Sequence, residues 1–144
     1  MWPDAVEGIA AFLRAAAVEG RLEELLPGAA LPAGQKLRAD TFDTEGGALV
    51  ALVPSERRVD ERKLAAAAGC EGPKAAPAIG FPFEGARVFI DQSVLSAHAV
   101  WLEAGSSRHV LGVSPAQLAR VTSALTADLL REARTGEVAD VPRG

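Results

Sequence analysis

Residues 46–54 read Gly-Gly-Ala-Leu-Val-Ala-Leu-Val-Pro, an apolar run entered from a glycine pair and closed by a proline. Its length, its branched side chains and its turn-forming borders predict a buried strand. Such a strand needs partners and cover, and the flanking segments are patterned to supply them. Before it, Val6, Ile9, Phe12, Leu13 and Ala16 recur at helical spacing. Pro3 suits the first helical position, Asp4 and Glu7 suit the N-terminal dipole, and Gly20 is the expected stop. A short strand is expected at 21–25, then a Pro/Gly loop, and then residues 34–42, GQKLRADTF, which lead into the sheet.

After the run, Asp60 is placed to cap a helix that passes through Lys63 and Leu64 and ends at Gly69. Residues 70–86 are rich in glycine and proline and read as loop. RVFID (87–91) reads as a strand, QSVLSAH (92–98) as a short helical turn, and VWLEAG and RHVLGV as two strands joined by a tight turn. Residues 114–136 carry a strong helical pattern, with Ser114 as cap, Pro115 at the first position, a stripe of Leu118, Val121, Leu125 and Leu129, and Gly136 as stop. This order predicts one compact α/β domain over residues 1–136, built on a mixed sheet, with a polar tail at 137–144.

Composition narrows the chemistry. With 144 residues, a formal charge of −4 and a pI near 5.2, the chain lacks the overall basicity that broad capture of nucleic acid requires. A local basic patch remains compatible with binding one end of a nucleic acid. Arg57, Arg58, Arg62 and Lys63 could form such a patch or simply be the solvated face of a helix. The single cysteine, Cys70, cannot form an internal disulfide, and no metal site or cofactor motif is evident. His98 and His109 lie eleven apart without a companion cysteine, and either reads as structural or surface histidine. No apolar run approaches a membrane span, and the acidic, amphipathic N-terminus is unlike a signal peptide, so the expected location is cytoplasmic.

Two features remain for a site. Residues 79–85, IGFPFEG, combine glycines that allow close approach with a proline that fixes shape. They could offer N–H groups to an ester carbonyl, or could be a turn wrapped around two core phenylalanines, Phe81 and Phe83. Lys36 and Arg38 stand two apart at a strand entry, where alternate side chains share a face, so one spot could receive both cations.

The run from Ile79 to Leu129, together with GGALVALVPSERRVDERKLAAAAG (46–69) and, more loosely, PAGQKLRADTFDTEGG (32–47), resembles the YbaK/prolyl-tRNA-synthetase-associated editing domain. The similarity is collinear over roughly residues 5–130. It implies a mixed, mostly antiparallel, barrel-like sheet flanked by helices. It also implies a free-standing aminoacyl-tRNA deacylase that hydrolyses mischarged tRNA, notably tRNA for proline carrying a small noncognate amino acid. No metal or cofactor is called for, and the partners would be the tRNA acceptor end and prolyl-tRNA synthetase.

On that resemblance, Pro32, Gly34, Gln35 and Phe42 match the segment that carries the family's substrate-anchoring lysine, whose position falls on Arg38, or on Lys36 if the register slips by two. Arg38 and Lys36 are therefore the catalytic candidates. Gly80, Pro82 and Gly85 fall on the family's glycine-proline loop, here shortened, and His109 falls where some members carry a pocket histidine. Those four are the substrate-binding candidates. Asp91 reads either as a site residue or as the cap of the turn at Ser93. The arginine in place of lysine keeps open a second implied role, a module of the same fold that binds tRNA or an aminoacyl nucleotide without turnover.

Overall fold

The computed structural model describes residues 2–29 and 33–132. Three helices, α1 (Asp4–Ala15), α2 (Glu61–Ala68) and α3 (Pro115–Thr122), accompany eight strands. The strands are β1 (Gly20–Glu24), β2 (Gln35–Thr44), β3 (Gly47–Pro54), β4 (Lys74–Ala75), β5 (Ala86–Asp91), β6 (Val100–Glu103), β7 (His109–Val113) and β8 (Leu125–Ala127). They form one mixed sheet in the order β1-β7-β6-β2-β3-β5-β8, with β4 added to β2. The β1–β7, β6–β7, β2–β3 and β2–β4 pairs are antiparallel, and β2–β6, β3–β5 and β5–β8 are parallel.

β3 lies inside this sheet and is buried on both faces. Val50 and Leu52 point into a core shared with Leu37 of β2, Ile90 of β5, Leu102 of β6, Leu111 of β7, Ile9 and Leu13 of α1, and Leu118 of α3, with Leu22 of β1 packed against it. Strands from both ends of the sheet thus meet in one core, as in a sheet curled round its own interior. Leu49, Ala51 and Val53 point the other way, into a second core with Phe42, Phe89, Leu129 and, from α2, Leu64 and Ala68.

Several sequence expectations are met locally. Asp60 caps α2 by accepting from the N–H groups of Arg62 and Lys63, and Gly69 closes it at φ 70°. Ser114 caps α3, with Pro115 in its first turn. Asp91 caps the short 3-10 turn at Gln92–Ser96 by accepting from the Ser93 N–H.

Others need correction. α1 ends at Ala15, and Gly20 opens β1 instead of stopping the helix. A β-carbon at Gly20 would sit 3.0 Å from Leu111 and 3.3 Å from the Gly112 carbonyl, so the missing side chain serves the approach of β1 to β7. The expected loop at 70–86 contains β4. The expected helix over 114–136 ends at Thr122, with Ser123 left-handed at φ 55°. Leu125 is an exposed residue of β8, whereas Leu129 is fully buried in the second core. Thr122, Ser123 and Thr126 are weak helix formers. Pairing with the open edge of β5, and a hydrogen bond from the Leu129 N–H to Asp91 Oδ1 (2.8 Å), outweigh continued helix. Gly136, the domain boundary there, the tail at 137–144, and Pro32 lie outside the described residues.

Among the described residues no helix is long and apolar enough to cross a membrane.

The Asp91 carboxylate is 1% exposed and accepts from Leu129 N–H, Ser93 N–H and Ser93 Oγ. Asp91→Ala should therefore destabilise the fold by about 1–3 kcal/mol, because it strands the buried Leu129 N–H. Urea denaturation would measure this, and a loss below about 0.5 kcal/mol would refute the role assigned to the carboxylate.

Candidate functional site

β2 has two different neighbours on the edge away from β3. It pairs with β6 only at Gln35 and Lys36, and with β4 only at Phe42 and Asp43. Between these ladders, Arg38, Ala39 and Asp40 have a strand partner on one side only. The hydrogen bonds Ser55 N–H to Lys36 O, Gln35 N–H to Ala99 O, and Ala76 N–H to Thr41 O fix the alternation. Even-numbered residues point their backbone groups towards β3, so the backbone of Ala39 faces the gap.

A cleft of about 320 Å³ opens at this gap. Its walls include Lys36 and Arg38 of β2, Ile79, Gly80 and Phe81 of the loop before β5, and Glu103 at the end of β6. Leu37, Ala39, Phe83 and Leu102 contribute apolar surface that continues into the first core. The structure thus brings together Lys36, Arg38 and Gly80, three of the six candidates.

The two cations differ in their commitments. Arg38 donates from Nε to Asp40 (3.0 and 3.2 Å), from one terminal nitrogen to the Ser55 carbonyl (3.3 Å) and from the other to the Arg57 carbonyl (2.7 Å). It straps the turn after β3 to β2. Lys36 is exposed and forms no ion pair among the described residues.

The loop serves the core and the cleft at once. Phe81 and Phe83 are buried, edge-to-face with each other, and Phe81 packs likewise on Phe12 of α1. Thr41 Oγ1 accepts from the Ile79 N–H (3.2 Å), and the Phe83 N–H donates to Gly80 O (2.8 Å). The N–H groups of Gly80 and Phe81 have no protein acceptor among the described residues. Of the loop residues whose N–H lacks an acceptor, these two line the cleft and can be offered to a ligand.

Pro82 and Gly85 shape the loop without lining the cleft. The Phe81–Pro82 peptide is cis, and Gly85 has φ 84° at the turn into β5. His109 is also elsewhere: it is 4% exposed on β7, edge-on to Trp2, with Nδ1 2.7 Å from Ser106 Oγ. Because Ser106 Oγ accepts from the Arg108 N–H, its hydroxyl proton can go to His109 Nδ1. Asp91 is occupied as a cap (above).

Sequence reasoning took in Ile79 only as part of the 79–85 loop, and missed Thr41 and Glu103. A threonine on a strand and an apolar residue before a glycine carry no local signal, since only the pairing of β2 with its neighbours sets them at the gap. Outside the cleft, Lys63 is held above the ordinary lysine pKa, chiefly by its hydrogen bond to Asp128. Among the described residues no group of three or more His, Cys, Asp or Glu side chains is arranged to hold a metal.

No protein-family model matches the chain, and no curated protein does. Solved structures do. A crystal structure of a candidate trans-editing enzyme for prolyl tRNA synthetase superposes with a TM-score of 0.75 at 22% identity, covering 91% of this chain and 99% of that one. A scaffold protein from epitope backbone grafting by computational design gives 0.77 at 20% identity, covering 91% and 99%. A hypothetical protein gives 0.71 at 18% identity, covering 85% and 99%.

Arg38→Ala should destabilise the protein by about 1–2 kcal/mol, since it leaves the Ser55 and Arg57 carbonyls without a donor, while Lys36→Ala should stay within about 0.5 kcal/mol of the parent. Thermal or urea unfolding of the two variants would check the contrast, and equal effects would contradict it. These likenesses, at such identities, establish that the chain has the fold of the candidate trans-editing enzyme.

Proposed function

We propose that this chain hydrolyses the ester bond of mischarged aminoacyl-tRNA in trans, in the cytoplasm, with tRNA for proline carrying a small noncognate amino acid as the leading substrate. The observation that carries the reading is the cleft at the β2–β6 divergence. There, Lys36, which has no ion pair among the described residues, borders the same small, largely apolar space as Gly80 and Phe81, whose N–H groups have no protein acceptor among them. The likeness in fold to a candidate trans-editing enzyme for prolyl tRNA synthetase supports it.

In this reading the Lys36 ammonium anchors the terminal nucleotide's phosphate, as a compact point charge suited to that task. The Gly80 and Phe81 amides take the ester carbonyl and stabilise the oxyanion as it forms. Water attacks the carbonyl carbon, the ester C–O bond breaks, and the tRNA leaves with its ribose hydroxyl restored while the amino acid departs. An aminoacyl ester is already activated, so positioning and oxyanion stabilisation supply most of the gain. Arg38 acts by holding the turn at Ser55, which borders the same cleft. Selection by size follows from the small cleft, and each methylene would count for about 1–3 kcal/mol.

The commitment of Arg38 to Asp40 and two carbonyls favours one second reading, a module that binds the acceptor end without turnover. Incubation with alanyl-, cysteinyl- and seryl-tRNA for proline separates the two. Ester loss is expected for at least one species, and binding without any loss at micromolar protein would select the second reading.

Lys36→Ala should lower kcat/KM by about 10–100-fold, the value of one charge-assisted contact. A β-carbon at Gly80 would meet no atom within 4 Å. Gly80→Ala should therefore leave stability unchanged while lowering kcat/KM, because it adds a methyl to a residue that lines the cleft. Parental activity in the Gly80→Ala variant would remove the loop from the site.

A further inference from the structure

On the other side of the β2 edge lies a second cleft of about 360 Å³, bordered by Arg38, Asp40, Arg58, Glu61 and Arg131. It shares Arg38, Ala39 and Ala78 with the first cleft, so the two adjoin along β2.

Two arginines here are held side by side by the backbone. Val59 and Leu130 form an antiparallel bridge, flanked by hydrogen bonds from Arg131 N–H to Arg58 O (2.9 Å) and from Asp60 N–H to Leu129 O (2.8 Å). That geometry sets Arg58 directly opposite Arg131, an arrangement in which side chains share a side and like charges repel. Val59 and Leu130 are in the second core, so the register cannot slip to relieve the repulsion.

Among the described residues neither guanidinium has an ion pair or a hydrogen bond. Of the two carboxylates bordering the cleft, Asp40 is taken by Arg38, and Glu61 pairs with neither arginine. The neighbouring cations are already engaged: Arg57 donates to the Arg131 carbonyl and Lys63 to Asp128. Of the basic run at 57–63, only Arg58 borders this cleft, and the bridge joins to it the distant Arg131. Two planar, always-charged forks on facing backbone positions, paired with no carboxylate among the described residues, are suited to a phosphate group.

We infer that Arg58 and Arg131 form a phosphodiester-binding site that holds the RNA strand leading into the first cleft. The inference rests on the editing reading for the identity of its ligand, but not on whether hydrolysis occurs. The shared strand edge supplies the path: the 3′ end enters beside Lys36 and Gly80, and a preceding phosphate lies between the two arginines.

The test measures binding of uncharged acceptor-stem RNA with a single-stranded 3′ end, by fluorescence anisotropy across a salt series. The parent protein is compared with Arg58→Ala, Arg131→Ala, the double variant, and Arg14→Ala, which removes an equal charge from α1. Each cleft variant should weaken binding roughly tenfold at low salt. The double variant should also reduce the slope of log K against log salt by about 0.7, the value of one lost phosphate contact to a single strand. Arg14→Ala should bind as the parent does, and circular dichroism should show all variants folded.

Absence of RNA binding by the parent overturns the inference, as does a double variant that retains parental affinity and slope. Inorganic phosphate, added at constant ionic strength, provides a further arm. If it binds in an arginine-dependent way while RNA binding ignores both arginines, the site serves a free anion and the inference fails. Arginine-dependent RNA binding without deacylation would sustain the site and reject hydrolysis. Deacylation with arginine-independent RNA binding would do the reverse.

Discussion

The double-sided burial of β3 is the constraint that shapes everything around it. A strand with Val50 and Leu52 in one core and Leu49, Ala51 and Val53 in the other demands cover on both faces. α1 and α3 supply one side and α2, with the segment after β8, supplies the other. β2 is paired to β3 along nearly its whole length and inherits the division. Leu37 and Ala39 are sent to the first core and Phe42 to the second, which leaves Lys36, Arg38 and Asp40 on the face opposite Leu37. A slip of one residue would bury the charges and expose the leucine, so the register of the candidate site is protected by the energetics of the core.

The site then arises from what the sheet leaves undone. β6 departs from β2 after Lys36, and β4 joins only at Phe42. Buried backbone groups must find partners or water, and an interrupted ladder is a place where a ligand can provide them. The loop before β5 closes the gap from one side. It is held there by Phe81 and Phe83 in the core and by the Thr41 hydroxyl, so the Gly80 and Phe81 amides beside the cleft are carried on a rigid support. The alternatives open at the sequence level, core turn or ligand loop, describe two faces of the same short segment.

Arg38 illustrates how a charge near a cleft can be mainly structural. Its fork reaches a carboxylate and two carbonyls, a set of acceptors that a lysine ammonium could not span in one plane. The turn it holds leads through Arg57 and Arg58 to the bridge with Leu130 and Arg131, so strand edge, turn and second cleft are mechanically connected. His109 marks the opposite case. Its position in the chain suggested a pocket, but its ring is enclosed by Trp2 and Ser106 on the far part of the sheet.

Much of the framework was legible from local pattern. The β3 run, the caps Asp60, Ser114 and Asp91, and the candidate segment at Lys36 and Arg38 all rest on short-range physics: apolar periodicity, side-chain oxygens placed before helices, and glycine where the backbone turns left-handed. The end of α3 was not legible, because the pattern of Leu118, Val121, Leu125 and Leu129 satisfies a helix equally well. Pairing with the free edge of β5 and the buried Asp91 carboxylate decides for a strand there. Local pattern thus settles which segments are buried and which residue types are available for chemistry. Which cation is left without an ion pair among the described residues, which amides border the cleft and which arginines face each other across the backbone bridge emerges only on folding, because each depends on pairings between residues far apart in the chain.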